Sequence, residues 1–245
     1  MKATVLITDT SSRFGESLAE IFVHNDFRVF AITDKPLEGV ILLPPRTKSL
    51  KTSLENGFSE DGYSECAETA FMEPEAALSL FAEKSQKLDF LLDTTDYRDS
   101  MDLFTVFDGI DGSVVERVFR QNVLSSMALL EAFLPFLDQG EGKRIFYLTS
   151  ADASINETCC VNQFGYIMSK AALHQFIQMT RNKLFPRGYT FRVFDPLNGK
   201  IDPKAAAESA FNYITRRRGT ENNDPLRDDE DNLVIRDALG RQHSW

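Results

Sequence analysis

The sequence predicts an α/β fold, a doubly wound parallel sheet in a three-layer α/β/α arrangement, as a single domain over residues 1–245. Two observations predict it. Short apolar runs alternate with longer stretches of helical period, the pattern of βαβ units. The chain of 245 residues is also long enough for one substantial core of this type.

The elements follow in order. Ala3–Thr8 (ATVLIT) reads as a buried strand, and Phe14–His24 as a helix with Phe14, Leu18, Ile21 and Phe22 in register. Arg28–Thr33 is a second strand. Asp34–Glu68 holds ILLPP and then a polar stretch with Gly57 and Gly62, room for one strand and an irregular connection. Glu73–Lys84 is a helix that tolerates Pro74 in its first turn. Leu88–Leu92 is a strand, and Val114–Leu137 a long helix with apolar residues at 115, 118, 119, 123, 127, 130 and 134. Arg144–Thr149 (strand), Phe164–Leu184 (helix), Thr190–Phe194 (strand) and Lys204–Arg217 (helix) continue the alternation. Residues 219–245 read as a polar loop, Asn222–Asp231 being acidic, followed by a short strand at Leu233–Arg236 and a turn from Asp237.

Composition excludes several functions. A net charge of −10 argues against broad nucleic-acid binding, which needs a basic face. The one basic run, Thr215–Arg218, reads as a solvated helix end. Cys66, Cys159 and Cys160 are odd in number with two adjacent, which suits a reducing, cytoplasmic setting. No metal-ligand spacing appears, because His24, His174 and His243 are scattered. No run approaches the roughly 20 apolar residues that span a bilayer, so no membrane partner is expected.

Tyr166 and Lys170 carry the chemistry. Four residues is about one helical turn, which puts phenol and ammonium on one face. A Lys charge beside a Tyr favours the phenolate, so the expectation is a lowered phenol pKa, suited to a general acid/base near neutral pH. Spacing alone is weak: chance supplies such a pair in roughly one chain in four of this composition.

What surrounds the pair strengthens it. Tyr166-Ile-Met-Ser-Lys170-Ala-Ala-Leu resembles the YxxSKAAL element of the short-chain dehydrogenase/reductase family, whose fold is Rossmann-like. The resemblance runs from Thr4 to about Arg218. Thr8–Gly15 (TDTSSRFG) resembles the family's TGxxxGxG loop, with Thr8 and Gly15 matching its ends and Asp9 and Arg13 replacing its first two glycines. Glycine lets backbone approach a pyrophosphate, so both replacements bear on cofactor binding. Asp9 adds negative charge there, while Ser11, Ser12 and Arg13 supply donors. Asp93-Thr94-Thr95-Asp96 stands where the family has NNAG and matches none of it. Pro196 matches the family's PG element, with Leu197 in place of the glycine.

The resemblance implies hydride transfer between a nicotinamide cofactor and a carbonyl or alcohol substrate. Tyr166 would be the acid/base, and Lys170 would hold its pKa down and bind the ribose hydroxyls. Ser150, at the end of RIFYLTS, would polarise the substrate oxygen, with Ser154 as the competing serine. Asn122 would anchor a proton relay. The implied cofactor site comprises Thr8, Ser11, Ser12, Arg13, Phe14, Gly15, Thr33, Asp34, Asp93, Tyr166, Lys170 and Pro196. An acid at the end of the second strand can bind a ribose 2′-hydroxyl and repel a 2′-phosphate; the family pattern puts Thr33 at that place and Asp34 one later, which leans the choice between NAD and NADP toward NAD. The family pairs through its two long helices, which implies a homodimer or homotetramer; Met127, Phe133, Phe176 and Met179 would serve that contact or be buried in the monomer core. LNGKIDPKAA reaches the next helix almost at once, so either the family's substrate lid is missing or the polar loop around Asn222–Asp231 covers the site. The substituted cofactor residues also admit another reading, a catalytically inactive member that serves as a binding or assembly subunit.

Overall fold

A computed structural model describes residues 2–33, 35–43, 46–47, 72–73, 75–216, 229 and 232–245. The elements run β1 (Thr4–Ile7), α1 (Arg13–His24), β2 (Arg28–Ile32), β3 (Val40–Leu43), β4 (Arg46–Thr47), β5 (Met72–Glu73), α2 (Glu75–Lys84) and β6 (Phe90–Asp93). After β6 come α3 (Gly112–Phe119), a π-helical turn (Arg120–Leu124), α4 (Ser125–Gln139), β7 (Arg144–Leu148) and α5 (Phe164–Leu184). The described chain closes with β8 (Thr190–Asp195), α6 (Pro203–Thr215), β9 (Ile235–Asp237) and β10 (Gln242–His243).

Eight strands form one sheet in the order β10-β9-β8-β7-β6-β1-β2-β3, every pair parallel except β10 on β9. β4 and β5 make a separate antiparallel pair. Parallel strands covered on both faces read as unbroken apolar runs, which is why ATVLIT and RIFYLT are legible as strands. The side-chain period of two then sorts each strand between two cores. Leu6, Ile145 and Tyr147 join the core that contains Phe81, Phe133 and Ile177 of α2, α4 and α5. Val5, Ile7, Phe146 and Leu148 join the opposite core, with Leu18 and Phe22 of α1 and Ala207 and Ala210 of α6. The sheet is therefore sandwiched as expected, and its order turns between β1 and β6. Open α/β sheets bind ligands outside the carboxyl ends of the strands at that turning point.

Several expectations need adjustment. The expected helix Val114–Leu137 is a longer run from Gly112 to Gln139, interrupted by the π turn that contains Asn122. Phe133 is fully buried and Phe176 packs against the same core, so both belong to the monomer; Met127 and Met179 are exposed. The last expected strand lies slightly later, at Ile235–Asp237, because its residues pair with the end of β8. The antiparallel β10 is too short to leave a period in the sequence. Asp34, Cys66 and most of the loop Asn222–Asp231 lie outside the described residues. Asp229 is described, and it grips Arg236 with both carboxylate oxygens at 2.7 and 2.9 Å. Among the described residues no helix is long and apolar enough to cross a membrane.

Candidate active site

α5 presents Tyr166 and Lys170 one turn apart, and both are buried. The helix does not cap itself. Its N-cap residue, Gln163, is left-handed (φ 60°) and makes no side-chain cap. Asp102 supplies the cap from across the fold, accepting the Gly165 N–H at 3.1 Å and the Tyr166 N–H at 2.8 Å. A carboxylate also complements the positive end of the helix dipole. Gly165 allows this close fit, since an added Cβ would press on Asp102 and on Val115 and Val118 of α3. The sequence gives no direct sign of this device, because Asp102 is far along the chain from the helix it caps.

Asp96 dominates the pair. The Tyr166 hydroxyl donates to Asp96 Oδ1 at 2.7 Å, and Lys170 Nζ approaches the same oxygen at 3.3 Å. Asn198 Nδ2 donates to Asp96 Oδ2 at 2.8 Å, with Arg98 Nε 3.3 Å from that oxygen. Arg98 also lies over the Tyr166 ring, 3.8 Å from its centroid, and donates to its hydroxyl at 2.6 Å. Lys170 completes its shell on the carbonyls of Thr95 (2.8 Å) and Leu148 (3.1 Å). A buried ammonium requires such pairing.

This arrangement corrects the expected phenol acidity. Burial, and then the Asp96 carboxylate, push the Tyr166 phenol well above its ordinary value; Arg98 only partly opposes them. Burial alone would raise Asp96, but the Lys170 and Arg98 charges hold it below the usual carboxylate value. At neutral pH the pair is thus a neutral phenol donating to a carboxylate. Lys170 spends its charge on that carboxylate.

Asn122 clamps the segment that carries Asp96. Its Oδ1 accepts the Tyr97 N–H and its Nδ2 donates to the Tyr97 carbonyl, both at 2.9 Å, with a further bond to Ser169 Oγ at 3.0 Å. Its own carbonyl accepts from Ser126 at 3.0 Å. The π turn places Asn122 here, and such turns recur at functional sites. Ser150 caps the short turn after β7, where its Oγ accepts the Asp152 N–H at 3.3 Å. Among the described residues no hydrogen bond joins it to Tyr166. Ser154 is fully buried and donates to the Trp245 carbonyl at 3.1 Å, turned to a different task. Asp195, at the end of β8, ties the two sides together by accepting the N–H groups of Ala151 (2.8 Å) and Leu197 (2.7 Å); burial raises its pKa.

The loop between β1 and α1 lies at the same edge. Ser11, Ser12 and Arg13 are exposed, and Ser12 caps α1 by accepting the Gly15 N–H at 3.0 Å. A Cβ at Gly15 would run into the Asp9 carbonyl, so only glycine permits this tight entry. Asp9 folds its carboxylate onto Ser11, taking its N–H at 2.8 Å and its hydroxyl at 2.5 Å. The buried Thr10 hydroxyl has no hydrogen-bond partner among the described residues. The Phe14 ring goes to the core beside Phe194, so its side chain is not a loop contact. Thr8 and Asp93 are buried and bond each other at 3.0 Å, Asp93 also accepting the Thr95 N–H at 3.1 Å. Thr33 is buried at the end of β2, where its hydroxyl accepts the Lys35 N–H at 3.1 Å. Pro196 is buried after β8. An exposed helix N-terminus with Ser, Ser and Arg around it, a glycine that admits a close turn and an unpaired hydroxyl fit a dinucleotide's phosphates once Asp9 releases Ser11.

A parallel sheet that turns beside a helix N-terminus, with a Tyr–Lys pair one strand away, defines a nucleotide-binding type of α/β protein. The comparisons make the class specific: the profile described as short chain dehydrogenase matches residues 3–207, and the chain belongs to that family. The structure resembles a putative short-chain dehydrogenase/reductase from Burkholderia multivorans solved with bound NADP (TM-score 0.73, 16% identity, 100% of both chains). It also resembles the carbonyl reductase Sniffer of D. melanogaster (TM-score 0.74, 14% identity, 100% of both chains). At these identities the likeness shows the fold. In sequence, 94 residues are 29% identical to the C-signal protein of Myxococcus xanthus, a match spanning 38% of this chain and 57% of that protein.

Proposed function

We propose that this protein is an NAD(P)-dependent oxidoreductase of the short-chain dehydrogenase/reductase type acting on a small carbonyl or alcohol substrate. The observation that carries this reading is the buried Tyr166–Lys170 pair, held by Asp102 and Asn122 at the edge where the sheet order turns. A bound nicotinamide would supply the hydride. Ser11, Ser12 and Arg13 would receive its phosphates, and Lys170 its ribose. Tyr166 is the proton donor to the substrate oxygen, and Ser150, just after β7, would share that oxygen's charge. Burial and the Asp96 carboxylate hold the phenol proton too firmly for donation near neutral pH, so this reading requires the Tyr166–Asp96 contact to open before the proton is given.

The test is binding followed by turnover. NADH and NADPH are titrated separately against intrinsic and nicotinamide fluorescence, and a carbonyl panel is then screened for cofactor consumption. Tyr166→Phe should lower turnover about a thousandfold while leaving cofactor binding intact; unchanged turnover removes Tyr166 from the mechanism. A second reading, a non-catalytic binding or assembly subunit, is favoured by the two internal carboxylates, Asp9 and Asp96, that occupy donors a cofactor needs. Absence of binding by either dinucleotide at millimolar concentration selects it. We further propose a homodimer through α4 and α5, supported by exposed Met127, Met168 and Met179; a monomer in sedimentation equilibrium would refute it.

A further inference from the structure

We infer that Asp96 is a built-in occupant of the cofactor's ribose position, a carboxylate that the dinucleotide must displace from Tyr166 and Lys170 before it can bind. The inference rests on the oxidoreductase reading given above. A single oxygen, Asp96 Oδ1, receives the Tyr166 hydroxyl at 2.7 Å and lies 3.3 Å from Lys170 Nζ. That is the position a ribose hydroxyl must take if Lys170 is to bind it. Lys170 is fully buried, and its other described bonds go to the backbone carbonyls of Thr95 and Leu148. Asp96 is therefore the side chain among its described partners that an entering hydroxyl would replace.

The carboxylate is held, not merely nearby. Thr95, just before it, is tied to Asp93, and Tyr97, just after it, is gripped on both N–H and C=O by Asn122. Yet it also has a second berth. Its other oxygen, Oδ2, is bonded to Asn198 and paired with Arg98, whose side chain is 44% exposed. Asp96 can thus give up Oδ1 without losing every partner, by leaning outward onto Arg98 and Asn198. Displacement then frees the phenol O–H to point at a substrate and returns the Lys170 charge to the site. The arrangement depends on the short stretch 196–202 between β8 and α6, which brings Asn198 onto Asp96. The closed form binds no ribose, so apparent affinity is lowered by the fraction of molecules that are closed.

The experiment compares wild type with Asp96→Ala and Asp96→Asn, the second keeping the side chain's size. Binding of NADH and NADPH is measured by fluorescence titration, and the Tyr166 phenol is titrated by ultraviolet difference spectra against Tyr166→Phe. The expected result is about tenfold or greater tightening of dinucleotide binding in a folded Asp96 variant, with the phenol titrating at lower pH than in wild type. If the dinucleotides bind wild type and both variants equally, Asp96 is not the occupant, and the oxidoreductase reading stands. If no protein binds either dinucleotide, that reading fails, and the phenol titration decides the contact: an unmoved phenol overturns it, and a lowered one upholds Asp96 as the group that holds Tyr166.

Discussion

The loop between β1 and α1 and the segment after β6 solve the same problem with opposite firmness. In each, an aspartate stands where the family has glycine, and in each its carboxylate satisfies donors that face the cleft. The Asp9 backbone is tied to Thr94, but its half-buried carboxylate bonds only two residues along the chain, to Ser11. Asp96 is held by its near neighbour Arg98 and by Tyr166, Lys170 and Asn198, which come from distant parts of the sequence. A local exposed turn opens at little expense, whereas a buried charge network opens only when something of equal polarity replaces it. The comparison teaches that the same substitution is a weak obstacle at one end of the cleft and a strong one at the other.

The contrast can be broken most forcefully at Asn122. Asn122→Ala removes three bonds and leaves the Tyr97 N–H and C=O without their clamp, so stability should fall by about 2–4 kcal/mol in a denaturant melt. Ser11→Ala should stay within about 0.5 kcal/mol of wild type. Equal losses would erase the difference between the regions. The next effect is acid sensitivity. Asp96 is held below 3.8, so its contribution is complete above that value and is lost as pH falls through the lower folded value. Wild type should therefore lose stability more steeply below pH 3.8 than Asp96→Asn does, and parallel acid melts would show that the Asp96 charge is not paired in the folded state.

Leu197 gives a smaller and more delicate effect. It occupies the family's glycine position with φ 54° and keeps the left-handed backbone while burying its side chain beside Phe194. Leu197→Gly relieves about 1–2 kcal/mol of backbone strain but forfeits about 3 kcal/mol of packing. Net destabilisation of about 1–2 kcal/mol is expected by thermal melt, and a stabilised variant would reverse that balance. The smallest change is Asp9→Gly, which frees the Ser11 N–H and hydroxyl, one of which a phosphate would take. A hydrogen bond is worth about 1 kcal/mol net, so dinucleotide affinity should rise about fivefold. A gain larger than that of Asp96→Ala would invert the comparison.

The fold was legible because its physics is local. Strands such as Thr4–Ile7 and Arg144–Leu148 are covered on both faces, so burial writes itself into consecutive apolar residues. α1 announces itself by period and by the Ser12 cap. The π turn at Arg120–Leu124 left no trace, since it changes the hydrogen-bond register without changing the residue types. In the site, Tyr166 and Lys170 share one helix and were readable from it. The pKa of Tyr166 was not, because Lys170 is only one of its charged neighbours and Asp96 lies 70 positions away. Asp96 was visible in the sequence only as a failed match to NNAG. The usable signal was its charge, placed just beyond a buried strand where the family has no charged residue. Asn198, 102 positions from Asp96, left no signal beyond the shortness of its connection.

That short connection, 196–202, has a consequence for redesign. A loop grafted there would lift Asn198 away from Asp96 and roof the cleft in one insertion, loosening the internal carboxylate while adding walls for a substrate. Loop length at this joint would then act as a tuning dial, moving the protein along a line from self-occupied to ligand-accepting with no change to Tyr166 or Lys170.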